Sequence, residues 1–361
     1  MPKLPKHLLV GSTEAYSGKS ATVLGLGLQL QQRGLDMAYA KPIGTCPSES
    51  GTGEDEDVRF ITQALDLASN RVRPTLFCLD EETIQSQLAS SALSYRQQLE
   101  TYVQGTGEDL LLTEGPGTLE EGILFQLSLP QLAEMTDASV LLVARFRSVL
   151  IVDRLLAAKQ KLGPRLLGVL INDVPAAEIP MVESQVKDCL ERHQIPVLGI
   201  LPSTPLMRSV SVAALVQALD AEVLSRPERM DRMMVEQLSI GAMNVNSALR
   251  YFRKAHNMAV VTGGDRSDIQ IAALETSTQC LILTGHLPPK DEILSRAKDL
   301  EVPILSVDLD TLTTVEIIDR AFDQMRLQEP VKVECIQHLM DEHFDIERLI
   351  AELSLQPAVT A

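Results

Sequence analysis

The sequence predicts an α/β fold, a doubly wound and mostly parallel sheet followed by a smaller α/β domain. Apolar runs of strand length alternate with stretches of helical length, which is typical of a parallel sheet covered by helices on both faces. The alternation restarts after Pro202-Ser203-Thr204-Pro205, whose two prolines favour a domain boundary. The chain of 361 residues is also long for one domain of about 150 residues.

Six apolar runs predict the strands of the first domain, and five longer stretches predict its helices. The expected strands are His7–Val10, Asp36–Lys41, Asp109–Thr113, Ala138–Ala144, Leu166–Asn172 and Pro196–Leu201. The expected helices are Ala21–Gln32, Val58–Leu67, Glu81–Glu100, Ser148–Lys161 and Pro180–Arg192. Gly34 and Gly163 come two residues after helical stretches, as C-capping glycines do.

A second series of elements follows the boundary. Its expected strands are Met258–Thr262, Cys280–Leu283 and Ile304–Val307, and its expected helices are Ile269–Glu275, Lys290–Asp299 and Thr314–Gln324. The charged stretch Val331–Leu355 predicts a further helix. We therefore expect a first domain at residues 1–205, a second at 206–325 and a helical tail at 326–361.

Composition excludes several classes of protein. Lys and Arg number 32 against 49 Asp and Glu, so the net charge of −17 disfavours binding to nucleic acid or an anionic membrane. The five cysteines form no C-x-x-C pair, which indicates neither a zinc site nor a disulfide framework and favours a reducing compartment. Because neither a membrane span nor a signal peptide is recognisable, we expect a cytoplasmic protein.

The most informative motif is the run from Gly11 to Ser20, which ends in Gly-Lys-Ser between an apolar strand and a helix. Such a turn presents backbone N–H groups, an ammonium and a hydroxyl to a nucleotide's phosphates and magnesium. Thr13 stands where a standard motif has its first glycine, so a plain strand–turn–helix corner is the alternative. The residues expected to contact the nucleotide are Thr13, Glu14, Ser17, Gly18, Lys19, Ser20 and Ala21.

Carboxylates follow the motif at positions that suit Mg²⁺, which takes oxygen ligands. Glu114 ends a buried strand and opens a Gly-Pro-Gly turn. Asp55 and Asp57 precede a helix, where they are either metal ligands or helix-capping charges. Ser20 supplies the hydroxyl of the motif, which is also an oxygen ligand suited to magnesium.

Two further side chains end strands of the same sheet. Lys41, followed by Pro42, directs a second ammonium toward the crevice or else lies in a solvated turn. Asn172 has donors and acceptors suited to an adenine edge, although a turn asparagine is the alternative.

This set of residues, in this order, resembles the dethiobiotin synthetase fold. It is closer still to the dethiobiotin-synthetase-like N-terminal domain of certain phosphotransacetylases, over about residues 6–205. The resemblance implies ATP and Mg²⁺ as cofactors and a homo-oligomer. By residue, it implies that Lys19 and Lys41 bind phosphates and would serve catalysis, that Ser20, Asp57 and Glu114 surround Mg²⁺, and that Asn172 contacts the purine.

In the second half, Gly263, Gly264, Asp265 and Arg266 follow a strand and are succeeded by Ser267-Asp268. This run resembles the DRTGG domain found beside that module, with Ser-Asp in place of the final Thr-Gly-Gly. Glycine N–H groups and the arginine fork suit an anion, so a second site for a small anionic or nucleotide ligand is predicted. Thr284-Gly285 closes another strand and is expected to face the same crevice. The alternative is an Asp265–Arg266 network that only holds the turn.

Three functions remain open from the sequence. The first is a regulatory protein that binds Mg-ATP and a second ligand, with slow ATP hydrolysis compatible with the motif. The second is an ATP-dependent ligase of dethiobiotin synthetase type, which activates a carboxylate or carbamate. The third is a non-enzymatic partner of a metabolic enzyme such as a phosphotransacetylase. Acetyl transfer by this chain alone is not expected, because roughly 45 residues after Val315 leave no room for a catalytic domain.

Overall fold

The computed structural model describes residues 5–44, 55–89, 95–105, 107–323, 327 and 329–356. Contacts divide the chain into two compact units, one of Met1–Ser203 with Ile336–Ala361 and one of Thr204–Cys335. From the sequence we placed the first boundary after residue 205 and a separate tail from residue 326. The division by contacts differs chiefly at the tail, whose residues from Ile336 onward group with the first unit.

The first unit is built around a parallel sheet of seven strands within the described residues, in the order β4-β2-β6-β1-β7-β8-β9. Most side chains of its central strands are buried, because helices cover both faces of a parallel sheet. A separate parallel pair joins β3 to β5. The strands are β1 (Lys6–Ser12), β2 (Met37–Ala40), β3 (Ile43–Gly44), β4 (Val72–Arg73), β5 (Phe77–Cys78), β6 (Leu110–Glu114), β7 (Ser139–Arg145), β8 (Leu166–Val174) and β9 (Val197–Pro202).

The helices of this unit connect the strands. They are α1 (Lys19–Gln32), α2 (Glu56–Ala64), α3 (Glu81–Ala89), α4 (Arg96–Tyr102), α5 (Leu129–Met135), α6 (Ile151–Leu162), α7 (Ile179–Met181) and α8 (Lys187–Arg192). The predicted helix at 180–192 contains a π-helical turn, Val182–Val186, between α7 and α8. The predicted helix at 81–100 corresponds to α3 and α4, and residues 90–94 between them lie outside the described residues.

In its described residues the second unit contains a five-stranded sheet in the order β11-β16-β15-β14-β13, in which only the β11 edge is antiparallel. Its strands are β10 (Val210–Ser211), β11 (Glu222–Ser225), β12 (Met234–Val235), β13 (Gln237–Ile240), β14 (Met258–Gly263), β15 (Thr278–Thr284) and β16 (Ile304–Val307). Its helices are α9 (Val212–Leu219), α10 (Val245–Phe252), α11 (Ser267–Leu274), α12 (Asp291–Asp299) and α13 (Thr311–Asp323). Both faces of the sheet carry apolar clusters, so the predicted α/β fold class is confirmed for both units.

The C-terminal stretch forms α14 (Pro330–His343) and α15 (Ile346–Glu352) instead of one helix. Its part in the first unit packs against α1. A Cβ atom at Gly25 of α1 would lie 2.5 Å from Cγ of Met340, so a glycine lets the two helices approach closely. Gln29 Nε2 also donates a 3.0 Å hydrogen bond to Oδ1 of Asp341.

The cysteines differ in state. Cys189, Cys280 and Cys335 are free thiols, Cys78 is disulfide-bonded, and Cys46 lies outside the described residues. The spacing of the cysteines predicts no disulfide framework, and the bond at Cys78 was not foreseen because it depends on which cysteines the fold brings together. Each helix in the described ranges is too short or too polar to cross a membrane.

Candidate functional site

The turn between β1 and α1 requires a glycine immediately before its lysine. Gly18 has a φ of +95°, and a Cβ atom there would lie 2.2 Å from Nδ2 of Asn172. The same nitrogen donates a 2.9 Å hydrogen bond to the carbonyl oxygen of Ser17. Asn172, which lies on β8, therefore holds the loop in place, and its contact with a purine stays a prediction.

Glu114 joins the predicted residues of the loop to the neighbouring strand. Its side chain is 1% exposed, and its Oε1 accepts a 2.8 Å hydrogen bond from the hydroxyl of Ser20. The ammonium of Lys19 lies 3.8 Å from the same oxygen. Because β1 and β6 are parallel neighbours, their carboxyl ends bring Lys19, Ser20 and Glu114 into one cluster.

Tyr39 belongs to this cluster and was missed in the sequence. Its hydroxyl donates a 3.1 Å hydrogen bond to Oε2 of Glu114. Burial, followed by the charge of Glu114, raises the pKa of Tyr39 well above its usual value, so the phenol remains a donor. The available signal was a tyrosine in an otherwise apolar buried strand, where a hydroxyl needs a partner.

Lys41 forms a second charged group beside this cluster. Its side chain is 2% exposed, and its ammonium lies 2.9 Å from Oδ1 of Asp55 and 2.7 Å from Oδ2 of Asp57. Burial alone would lower the pKa of Lys41, but the surrounding carboxylates, Glu114 foremost, outweigh it and raise that pKa. The alternative of a solvated turn lysine is therefore wrong.

The two aspartates that precede α2 have different positions. Asp55 is the N-cap of the helix, where its side chain accepts hydrogen bonds from the backbone N–H groups of Asp57 and Val58. Asp57 lies in the first turn, and its side chain is 42% exposed. Asp57 is thus the more accessible of the two, and its role as a metal ligand stays a prediction.

The remaining residues of the predicted loop have varied surroundings. The N–H of Thr13 donates to the carbonyl oxygen of Val143 at 3.4 Å, which extends the pairing of β1 with β7. Glu14 forms ion pairs with Arg147 and Arg154, which follow β7 in the chain. Ala21 lies in the first turn of α1. The hydroxyl oxygen of Ser17 is buried and has no hydrogen-bond partner among the described residues.

In the second unit the predicted glycines serve close packing. The N–H of Gly264 donates a 3.1 Å hydrogen bond to the carbonyl oxygen of Thr284, so these two predicted residues do meet. A Cβ atom at Gly264 would lie 2.2 Å from the carbonyl oxygen of Leu287, which excludes a side chain there. A Cβ atom at Gly263 would lie 2.5 Å from Oδ1 of Asp265. Gly285 follows Thr284 with a φ of +83°.

Arg266 makes contacts that differ from the predicted alternative. Its Nε lies 3.2 Å from Oδ1 of Asp268, and one terminal nitrogen donates a 2.9 Å hydrogen bond to the carbonyl oxygen of Met243. The carboxylate partner is thus Asp268 and not Asp265. The guanidinium holds the start of α11, and an anion would have to share it with Asp268.

Gln270 contacts this turn from the following helix, and the sequence analysis did not single it out. It is fully buried on α11, and its Nε2 donates 3.0 Å hydrogen bonds to the carbonyl oxygens of both Gly263 and Gly264. Its Oε1 has no hydrogen-bond partner among the described residues. A glutamine inside a predicted apolar helix was the only signal.

The first strand of this parallel sheet leads through a Gly-Lys-Ser turn into a helix, and the neighbouring strand in the sheet carries a buried acid. This arrangement defines a P-loop domain. The comparison of families agrees with this class. The chain belongs to the AAA domain family, whose model matches residues 6–211, and the DRTGG domain matches residues 214–321. The resemblance predicted from the sequence is confirmed.

Similar proteins include phosphate acetyltransferases. That of a Synechocystis species is 23% identical over 96% of this chain and 52% of its own length, and that of Nitratidesulfovibrio vulgaris is 24% identical over 97% and 52%. The uncharacterized protein YtoI of Bacillus subtilis is 34% identical over 36% of this chain and 29% of its own. The chain spans about half the length of the phosphate acetyltransferases it matches.

Solved structures resemble the chain in part. The CBS and DRTGG domains of the regulatory region of Clostridium perfringens pyrophosphatase, complexed with the activator diadenosine tetraphosphate, are 21% identical with a TM-score of 0.30, over 48% of this chain and 85% of that one. The MinD cell division protein of Aquifex aeolicus is 16% identical with a TM-score of 0.34, over 56% and 84%.

Proposed function

We propose that this chain is a regulatory protein that binds Mg-ATP in its P-loop unit and a second small anionic or nucleotide ligand in its DRTGG unit. One observation carries the first half of the proposal. The lysine and the hydroxyl of the Gly-Lys-Ser turn both lie against the buried carboxylate of Glu114. The ammonium of Lys19, which can contact a phosphate, therefore lies beside the oxygens of Ser20 and Glu114, which can bind a metal ion. A phosphate with a bound metal ion requires both kinds of group.

The residues present fit magnesium and a phosphate chain. Among the described residues no three His, Cys, Asp or Glu side chains gather closely enough to hold a metal by themselves. That suits Mg²⁺, which takes one or two carboxylates and completes its shell with phosphate oxygens and water. Ser20 and Glu114 would hold the ion, with Asp57 as the accessible further carboxylate, and when bound it would neutralise phosphate charge. The hydroxyl of Ser17, which lacks a hydrogen-bond partner in the described part of the chain, is a free donor within the same loop.

We expect ATP binding to depend on magnesium. Titration of the purified protein with ATP in excess Mg²⁺ should give a dissociation constant at least about tenfold below that in EDTA, since the carboxylate of Glu114 repels unneutralised phosphate. Isothermal titration calorimetry measures both values. Equal affinity in the two buffers, or no binding in either, would contradict the proposed site.

The second site is tested through Arg266. Replacing Arg266 with alanine removes a charged donor fork at the start of α11, and we expect about tenfold weaker binding of one of two ATP molecules per chain. Arg253→Ala, which removes an exposed arginine directly after α10, is the matched control and should retain both binding events. A stoichiometry of one that Arg266→Ala leaves unchanged in number and affinity would show that the second unit does not take ATP.

A further inference from the structure

Two arginines of the connection after β7 lie against the phosphate loop. Nε of Arg147 is 3.2 Å from Oε1 of Glu14, and a terminal nitrogen of Arg154 is 3.3 Å from Oε2 of the same carboxylate. Each carboxylate oxygen of Glu14 thus takes a different guanidinium. Arg147 follows the end of β7, and Arg154 lies in the first turn of α6, so both belong to the segment that follows the strand neighbouring β1.

These ion pairs are of the exchangeable kind. The side chains of Arg147 and Arg154 are 64% and 56% exposed, and that of Glu14 is 21% exposed. Exposed ion pairs contribute little to folding, so holding the loop is a weak reason for two arginines to converge there. A phosphate carries more charge than a carboxylate and accepts the planar guanidinium fork in bidentate fashion, so it competes well for such a pair.

We propose that Arg147 and Arg154 contact the terminal phosphate of a bound nucleoside triphosphate, and that the carboxylate of Glu14 occupies the place of that phosphate until the nucleotide binds. This inference rests on the proposed function of the loop and adds its selectivity. Lys19 and Ser20 supply the cation and hydroxyl of the turn itself, five and six residues beyond Glu14. The base and the ribose of a nucleotide are uncharged. Two additional cations at the loop therefore distinguish nucleotides by their number of phosphates. In a chain of net charge −17 they also offset repulsion of the ligand.

The test compares dissociation constants for Mg-ATP and Mg-ADP by calorimetry. Arg147→Ala and Arg154→Ala should each weaken ATP binding about tenfold and change ADP binding less than about twofold. Arg147→Lys should recover part of the ATP affinity, because it restores the charge without the fork. Arg165→Ala, which breaks an exposed ion pair with Asp137 at the opposite edge of the sheet, is the matched control and should change neither value.

The Glu14→Gln variant distinguishes arginines that bind the phosphate from ion pairs that only hold the loop in place. It frees both arginines without removing them, so we expect ATP to bind about threefold more tightly. If the pairs only hold the loop, Glu14→Gln and the alanine variants break the same contacts and should weaken ATP and ADP alike, which would overturn the inference. Unchanged affinities in all arginine variants would overturn it and leave the loop's proposed function standing. Absence of nucleotide binding by the unaltered protein would overturn both.

Discussion

Replacing Lys19 with alanine is expected to weaken Mg-ATP binding by about 100-fold, which corresponds to about 2.7 kcal/mol. The lysine is the cation of the Gly-Lys-Ser turn, and its side chain is only 14% exposed. Its removal takes the ammonium at 3.8 Å away from Glu114, so phosphate would approach a buried carboxylate that this charge no longer offsets. Calorimetric titration with Mg-ATP measures the loss.

The structural cost of this substitution should be small. Glu114 keeps its hydrogen bonds from Ser20 and Tyr39 when Lys19 is truncated. The melting temperature should therefore fall by only a few degrees. Lys187→Ala, an exposed lysine at the start of α8, is the control and should bind Mg-ATP as the unaltered protein does. Affinity of Lys19→Ala within threefold of the control would show that the turn is no phosphate site.

The position of Glu114 could be predicted because it depends on one general rule. Carboxyl ends of parallel strands meet at one edge of the sheet, and both the Gly-Lys-Ser turn and Glu114 end such strands. The long central strands were predicted for the same reason, since burial on both faces makes them apolar throughout. Ile304–Val307 agrees with β16 at both ends, and the other predicted strands agree with observed strands to within two residues at each end.

Elements at the edges could not be predicted from apolar pattern. β4 and β10 have two residues each, and β11 is an edge strand with an exposed first residue. Such strands are held by pairing with a neighbour, which leaves little trace in the sequence. The helix α14 ends at His343 for a similar reason: Phe344 bridges to Gly199 of β9, and Asp345 then caps α15.

Contacts between side chains that are distant in the chain could not be predicted from the sequence either. Lys41, Tyr39 and Arg147 each meet a carboxylate supplied by another element, at separations of 14 to 133 residues. The sequence shows that such groups exist but not which of them become neighbours. For Lys41, the sequence left a solvated lysine and a phosphate-directed lysine open. The structure adds a buried ion pair that neither alternative contained.

That ion pair makes Lys41 the position with the largest expected effect on stability. We expect Lys41→Met to lower the free energy of unfolding by about 3 kcal/mol, because Asp55 and Asp57 both lose the buried ammonium that they contact. The side chain of Asp55 is 2% exposed, so water cannot replace the ammonium without opening the site. Methionine preserves most of the volume, which separates the loss of charge from the loss of packing. Urea unfolding followed by circular dichroism measures the change.

Two comparisons make this prediction specific. Lys161→Met removes a lysine that pairs with Glu120 at the surface, where both side chains are at least half exposed, and should cost about 0.5 kcal/mol or less.

The pH dependence of stability gives the second comparison. Because folding raises the pKa of Lys41, its contribution is complete below the unfolded-state pKa of about 10.4 and is lost only as pH rises through the folded-state value. The difference between the unaltered protein and Lys41→Met should thus be constant between about pH 6 and 9 and shrink in stronger base. A cost no larger than that of Lys161→Met would mean that the carboxylates at α2 need no buried cation.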